Sequence, residues 1–476
     1  MRLEKTMNYK IIISFLLFFS CYRLDLDKIS IPEIEDIPDP LSNFENDYSI
    51  NDFWAASKDS SLLSLLNEFN LNSSQISILN TQAKMSKIQH RISRSDRFPS
   101  LSINNSRSKK QQNLSAYGLP DSFLDVIEES GDSEGIPETF SIELATQWEI
   151  DLWGRLKSKD ISQYYSMKAH LNDISYAKES LRANFIKLFF VAINLKNQII
   201  ILEKNLKNLK LIKELTEKRY LNGMSNPDEI HLASANYHLY QTKLLSVQSK
   251  YNDIIRNIEL MMNKYPGNKT PINYNYPDSL PLINENIPSR LLERRPDVVS
   301  IKEKIISSNV MLSSNKKNLL PNISLTGSIG QSSSDLKRIL DKDFSVWGIG
   351  VSVFQPVLQG GRLKSIIKLN KHEIEALEQE YIYTVYNAFY EAEKHIDLDT
   401  YLLDTHNEIL ISKNEMSQAV DFAIKSYELG LVDLVYLLNY QQQYFEISLE
   451  ENNILSDRYL NRIDLILALG GKLEYQ

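Results

Sequence analysis

The sequence has almost no cysteine, no basic run and, over long stretches, neither proline nor glycine. Cys21 is the single cysteine among 476 residues, so no disulfide can form within the chain. The net charge is −8 and the body of the chain has no basic cluster, which argues against nucleic acid as a partner. Proline is absent from 138 to 226 once Pro137 is passed, and again from 357 to 476. Gly223 is the only glycine between 155 and 266, and Gly430 the only one between 362 and 469. Stretches without breakers leave room for very long helices. Enzyme signals are missing as well. In GGRLKS (360–365), Leu363 stands where a phosphate loop needs glycine. The seven histidines are scattered, and His231 and His238 have no cysteine or acidic partner at ligand spacing. No Ser-His-Asp or paired-carboxylate arrangement stands out, so no cofactor and no catalysis are expected. Beyond the N-terminus no window approaches 18 uninterrupted apolar residues. Any membrane crossing must then avoid hydrophobic helices.

What is present begins with MNYKIIISFLLFFSC (7–21): a lysine, an apolar run from Ile11 to Phe19, then Ser20 and Cys21. This is the layout of a secretory signal over residues 1–20. A cysteine directly after a small residue resembles a bacterial lipoprotein cleavage site, which predicts a covalent lipid (palmitate among its chains) on Cys21. Phe18 departs from the leucine usual three before that cysteine, and a plain signal that happens to contain a cysteine is the other reading. Translation can start at Met1 or Met7. Residues 21–52 are acidic and read as an extended tether.

The pentapeptide GRLKS occurs at 154–158 and again at 361–365. At the same offset Ala169 pairs with Ala376, Tyr176 with Tyr383, Tyr220 with Tyr427, Gly223 with Gly430 and Tyr237 with Tyr444. Upstream, FPSLSINNS (98–106) matches LPNISLTGS (320–328) with Pro99 on Pro321. The first copy is therefore longer between the matches, and the extra residues are expected in an exposed loop within 118–138. The chain is an internal duplication with a period far longer than that of solenoid repeats.

Each copy carries two alternating segments. Leu101 and Ile103, or Ile323, Leu325 and Ile329, form the first. Phe140, Ile142, Leu144, Trp148, Ile150 and Leu152, or Trp347, Ile349, Val351 and Val353, form the second. Period two predicts strands with one apolar face. Each hairpin leads through GRLKS into long helical sequence with apolar steps of four and three, as at Leu195, Ile199, Leu202, Leu206 and Leu209. Gly154 and Arg155, and Gly361 and Arg362, mark the barrel-to-helix junctions, where glycine permits a bend and the basic residues bound the apolar band. Gly223 and Gly430 mark where the chain turns back. The first repeat spans 53–263, with two helices, the second led by serine as N-cap, a hairpin at about 99–153 and long helices at about 156–263. A linker covers 264–289. The second repeat spans 290–476, with a helix, a hairpin at about 321–358 and long helices at about 362–469. Four strands cannot close a barrel, and an open edge in a bilayer leaves backbone groups unpaired. Three copies would supply twelve strands.

The runs TFSIELATQWEIDLWGRLKS, VFQPVLQGGRLKS and RLLERRPDVVSIKEKI (290–305), with the duplicated hairpin–helix unit, resemble the TolC-like outer-membrane factor family. Within it they are most similar to the OprM-like lipoprotein subgroup of RND-type tripartite efflux pumps. The resemblance runs from about 50 to 470. It implies a mixed α and β membrane fold: a homotrimer with a 12-stranded outer-membrane β-barrel, continued by a periplasmic α-helical barrel with an equatorial belt. It implies a passive exit duct for drugs or other small molecules, lipid-anchored in the bacterial outer membrane, whose partners are a periplasmic adaptor and an inner-membrane transporter. The duct of a type I protein secretion system shares the fold, and a periplasmic coiled-coil scaffold lipoprotein is the reading from another class. The family's tip maps onto YELGLVDLVYLLNYQQ (427–442). Two positions acidic in relatives hold Tyr436 and Asn439 here. Asp433 is the nearby acid, and Asp228 and Glu229 belong to the first copy's tip. The expected gate is therefore weakly acidic, closed by Val435, Tyr436 and Leu438 packing and by Tyr427 hydrogen bonds. Asp433 reads equally well as the cap of the following helix. Arg294, Arg295, Pro296 and Asp297 read as a structural turn with proline at the first helical position.

Overall fold

The computed structural model describes residues 29–32, 60–109, 138–273, 275–277, 280 and 295–471. The signal segment, Cys21, nearly all of the tether, most of the 118–138 loop, much of the linker and Arg294 lie outside the described residues.

The elements in order are α1 (Ser60–Asn72), α2 (Ser74–Ser95), β1 (Ser100–Lys109), β2 (Glu138–Ile150), α3 (Arg155–Leu221), α4 (Pro227–Met261), α5 (Pro296–Lys317), β3 (Asn322–Ser333), β4 (Ser345–Phe354), α6 (Arg362–Glu428) and α7 (Leu434–Ala468). Two short 3₁₀ turns lie between β3 and β4. The duplication is written into these bounds. α3 and α6 each have 67 residues and are offset by the same 207 positions as GRLKS. α4 and α7 each have 35 residues at that offset. α2 and α5 each have 22, at the longer offset of the Pro99–Pro321 match. A 67-residue helix is roughly 100 Å long at about 1.5 Å per residue.

The strands make one antiparallel sheet in the order β1-β2-β3-β4. The two hairpins are thus joined edge to edge by β2 and β3, with Leu144 opposite Ile329 and Ile150 opposite Ile323. Among the described residues β1 and β4 are its two open edges.

The chain divides into two compact units. Among the described residues, one comprises 29–31, 87–109, 138–167 and 303–378, and holds the sheet and the helix ends that enter and leave it. There α2 meets the start of α3 through Asp160, which takes His90 Nε2 at 3.0 Å and Arg97 Nη1 at 2.8 Å. The other comprises 32, 60–86, 168–273, 275–277, 280, 295–302 and 379–471. Its core packs Leu62, Leu66 and Phe69 of α1 against Phe185, Ile186, Phe189, Phe190 and Ile193 of α3, with Ile255 and Ile258 of α4 and Ile463 of α7. Phe69 stacks on Phe185 at 4.6 Å, and Phe190 on Tyr459 at 4.8 Å. By length and composition α3 contains a window apolar enough to cross a membrane. Its phenylalanines are instead buried in this core.

One local expectation is corrected. Ser73 does not cap α2. Its backbone N–H donates to Phe69 O at 2.9 Å and its carbonyl accepts from Ser77 N at 3.0 Å, so α1 runs almost directly into α2. Its buried hydroxyl makes no hydrogen bond among the described residues.

Candidate functional site

The sheet has two chemically different faces. The pairing register puts Leu101, Ile103, Phe140, Ile142, Leu144, Trp148, Ile150, Ile323, Leu325, Ile329, Trp347, Ile349, Val351 and Val353 on one of them. Several are strongly exposed, with Ile103 at 75%, Trp347 at 77% and Ile349 at 74%. The other face carries Ser100, Ser102, Asn104, Glu143, Gln147 and Thr326, which border a hollow of about 510 Å³. A contiguous exposed apolar face of this size is costly in water and favourable in lipid, whereas the serine-rich face suits water. Ten residues of strand rise about 33 Å, and a tilt of about 45° brings that close to the apolar thickness of an outer membrane. Gly330 is needed for the β2–β3 approach, because a Cβ there would collide with Ile142 O and Glu143 Cα.

The first barrel-to-helix junction is tightly held. Gly154 adopts φ +70°, a conformation that favours glycine. Asp151 caps α3, its carboxylate oxygens accepting Leu156 N at 3.0 Å and Lys157 N at 2.7 Å. Arg155 forks onto Glu149, with Nη2 at 2.8 Å from both oxygens. Lys317, buried at the end of α5, donates to Gly154 O at 3.1 Å and Ser158 Oγ at 2.8 Å. Burial lowers its pKa below the ordinary lysine value. The second junction is looser. Among the described residues, Gly361 has φ +82° with nothing within 4 Å of where a Cβ would be, and the Arg362 side chain reaches Gln359 Oε1 alone, at 2.9 Å.

At the far ends of α3 and α6 the chain turns back by the same device. Gly223 (φ +70°) and Gly430 (φ +74°) end the helices in Schellman motifs. Met224 N donates to Arg219 O at 2.8 Å, and Leu431 N to Ser426 O at 2.9 Å. Between these turns lies a polar knot. Tyr427 is fully buried, and its hydroxyl lies 3.0 Å from Thr216 Oγ1 and donates to Glu229 Oε2 at 3.2 Å. Glu229 also accepts from Ser225 Oγ at 2.8 Å. The Arg219 guanidinium lies over the Tyr427 ring at 4.3 Å, donating to Tyr427 O and, at 3.1 Å, to Met224 O. Burial pushes the Tyr427 phenol above its ordinary value; Thr216 opposes that shift and the Glu229 charge adds to it.

Asp433 is the N-cap of α7, its Oδ1 accepting Tyr436 N at 2.8 Å. Val435, Tyr436 and Asn439 are exposed, and Leu438 is half-buried against the helical core. The fully buried packing residues of that turn are Leu434 and Leu437. Tyr436 donates to Tyr440 across 3.0 Å. Asp228 is exposed in the first turn of α4, after Pro227. Sequence reasoning passed over Arg219 and Thr216. The available signal was a break in the repeat: the position matching Arg219 is Ser426.

Arg295 is 1% exposed. It forks onto Asp297 at 2.9 and 3.1 Å, reaches Glu391 at 2.8 Å, and donates to Ala468 O at 2.9 Å. Burial works against its charge, but Asp297 and Glu391 outweigh that and hold it firmly protonated. Pro296 is the first residue of α5. The turn thus ties the start of α5 to α6 and to the last carbonyls of α7, a structural task. Among the described residues no group of His, Cys, Asp and Glu is placed to hold a metal ion.

The sequence model described as "Outer membrane efflux protein" matches residues 65–264 and 287–471. Curated relatives include the pyoverdine export outer membrane protein OpmQ of Pseudomonas putida, 25% identical over 72% of this chain and 73% of its own. The outer membrane protein OprJ of Pseudomonas aeruginosa is 22% identical over 81% and 78%. Among solved structures, the CmeC outer membrane channel of Campylobacter jejuni superposes with a TM-score of 0.82 at 20% identity, covering 94% of each chain.

Proposed function

We infer the role of this chain from one premise, that it belongs to the outer membrane efflux protein family: it is the outer-membrane exit duct of an efflux system. The observation that carries the reading is the sheet, apolar on one face, polar on the other and open at both edges. Such a sheet is stable in a bilayer only when its edges are closed by further strands. Three copies would close a twelve-stranded barrel with the polar face lining the passage, leaving a large periplasmic portion made of the long helices. The duct is passive. It works with a periplasmic adaptor and an inner-membrane transporter that supplies the energy, and it performs no covalent chemistry. The relatives' names speak of pyoverdine export and the like; we take from them only the class of cargo, small molecules. Cys21 carries a lipid that anchors the chain to the outer membrane. The turns around Gly223 and Gly430 form the periplasmic gate. Its closed state is held by the Tyr427–Thr216–Glu229–Arg219 knot, and Val435, Tyr436, Asn439, Asp228 and Asp433 face the opening.

The test is deletion of the gene followed by accumulation and susceptibility measurements across a panel of dyes, drugs and metal ions. Accumulation should rise for at least one class and return to normal on complementation. An unchanged panel, together with loss of an exported protein, would replace efflux with protein secretion. Labelling with a palmitate analogue, lost in Cys21→Ser, tests the anchor.

A further inference from the structure

The apolar side of the sheet changes chemistry along its height. Its rows follow from the pairing register. Ile150 with Ile323, Trp148 with Leu325, and Leu144 with Ile103, Ile329 and Trp347 are apolar rows. Beyond them, toward the end away from the helices, come Asn105, Ile142, Gln331 and Ser345, then Arg107, Phe140 and Ser333, then Lys109 and Glu138. β2 has 13 residues, so at about 3.3 Å per residue and a tilt of about 40° it climbs roughly 30 Å. An outer-membrane apolar band is about 25 Å tall, which leaves the Lys109 row at the headgroups and outside the hydrocarbon.

The loop between β3 and β4 stands at the same end and leans over the same side. Gln331 belongs to the apolar side by register, and its Nε2 lies 3.5 Å from Leu340 O. Leu336 and Leu340 are 60% and 76% exposed. Lys337 and Lys342 beside them are exposed as well. Most carboxylates of this rim are committed. Glu138 pairs with Arg107, and Asp341 with Arg338 at 3.4 Å. The two guanidiniums also lie over Phe140 and Phe344, at 5.6 and 4.8 Å. Asp335 turns Oδ1 to Lys337 N at 2.9 Å. Among the described residues Lys109, Lys337 and Lys342 have no ion-pair partner, against Asp343 as the spare acid of the loop.

We propose that this outer rim holds phosphate-bearing lipid headgroups, with Lys109, Lys337 and Lys342 as the phosphate ligands and Leu336 and Leu340 set into the acyl boundary. The proposal rests on the membrane-barrel reading above. The rim is continuous with the apolar rows, so the lipid that covers those rows also reaches it. Lysine stems can lie along apolar surface while the ammonium rises to headgroup oxygens. Leucines alternating with lysines in a short loop suit that boundary and are costly beside bulk water. An ammonium without a carboxylate can take a phosphate oxygen without breaking an existing pair.

Native mass spectrometry of the purified full chain in neutral detergent tests this. Phosphatidic acid, whose phosphate is bare, should stay bound, and phosphatidylcholine, whose phosphate is screened by choline, should be lost. Lys109→Gln with Lys337→Gln and Lys342→Gln should lower retention of phosphatidic acid by about tenfold or more. Excess inorganic phosphate should not displace it; displacement would mean a site for the free anion and would overturn the lipid assignment. Equal retention of the two lipids, or equal retention by the triple variant, overturns the rim. So does the same loss from Lys157→Gln with Lys364→Gln, at the helix end of the sheet, because charge alone would then suffice. If the triple variant does not assemble, Lys337→Gln with Lys342→Gln, confined to the exposed loop, carries the same test. Conduction by the unaltered chain in planar bilayers separates the two readings: with conduction and no selective retention only the rim falls, and without conduction both fall.

Discussion

Tyr427→Phe isolates the polar knot at the proposed gate. The substitution keeps the buried ring, the Arg219 stacking and the bond from Arg219 to the backbone, and removes only the hydroxyl. Two contacts are lost, to Thr216 at 3.0 Å and to Glu229 at 3.2 Å. Neither partner is stranded. Thr216 Oγ1 still donates to Ile212 O at 2.9 Å, and Glu229 still accepts from Ser225. Thr216 gives its own proton to Ile212 O, so the substitution removes the single Tyr427 proton, and the loss lies near the net worth of one hydrogen bond to a carboxylate, about 1.5–2 kcal/mol. If these bonds exist only in the closed gate, the closed-to-open ratio falls roughly 10- to 30-fold. Single-channel recording in planar bilayers reads this directly as open fraction, with circular dichroism to show that the helices are intact. Arg219→Met should open the gate further, since it frees Tyr427 O and Met224 O and removes the cation over the ring. An unchanged open fraction in Tyr427→Phe, with only a lowered melting temperature, would make Tyr427 a core residue and refute the gate. The hydroxyl adds a pH arm. Its pKa is raised in the folded chain above the ordinary 10.0. The stabilisation by the neutral phenol is therefore complete below about pH 10 and is lost only as pH rises through the folded value.

Arg295→Met should cost about 3–5 kcal/mol, because it leaves Asp297 and Glu391 without their cation and Ala468 O without its donor; thermal unfolding checks this, and Arg295→Lys should recover only part. Gly330→Val should abolish β2–β3 pairing through collision with β2 backbone, read as loss of protein from the outer-membrane fraction. Glu259 is buried but accepts backbone N–H bonds from Asn268, Lys269 and Thr270 at 2.6–3.0 Å. Burial raises its pKa, and these bonds more than reverse that, so the net shift is downward from 4.5. Its stabilisation is thus present above the unfolded pKa and lost as pH falls through the folded one. Glu259→Gln should destabilise the chain at neutral pH, and its difference from the unaltered chain should vanish in acid, as followed by helical signal against pH.

How much of this was legible in the sequence depends on what each feature physically requires. Long helices need an absence of breakers, and strands facing lipid need period two; both are patterns of spacing, and both were readable. The turns were readable because the left-handed backbone at 223 and 430 favours glycine, and glycine is otherwise missing from these helices. Edge-to-edge joining of the hairpins through β2 and β3 was not readable, since pairing between copies is set by contacts more than a hundred residues apart. The Ser73 cap failed for a related reason. A serine before a helix is a local signal, and here α1 already supplies the preceding helical turn, so the hydroxyl has no orphan N–H to meet.

The functional residues lie where the two copies disagree. Arg219 answers to Ser426, Arg295 to Ser73, Lys317 to Ser95, and Glu229 to Tyr436. The positions that match are mostly glycines and packing residues that any copy of this unit needs; Tyr427, which matches Tyr220, is the exception at the knot. Each mismatched polar residue instead joins two elements that meet only once per chain: Arg219 at the turn, Arg295 at the closing end of α7, Lys317 at the sheet junction. An exact duplication would make the seams within and between chains identical, and a chain could then pair its own halves or a neighbour's with equal ease. Ser300, Ser307 and Ser314 fasten α5 to α3 through hydrogen bonds, whereas their counterparts in α2, Ile78, Met85 and Ile92, and Leu369, the counterpart of Ser162, are exposed apolar residues; a second copy covering them would meet a seam of different chemistry. Exchanging them is the sharpest test of that argument. Met85→Ser with Leu369→Ser should leave the folded chain's melting temperature nearly unchanged while weakening trimer recovery. Equal loss of both would mean that the stripe serves folding, not association.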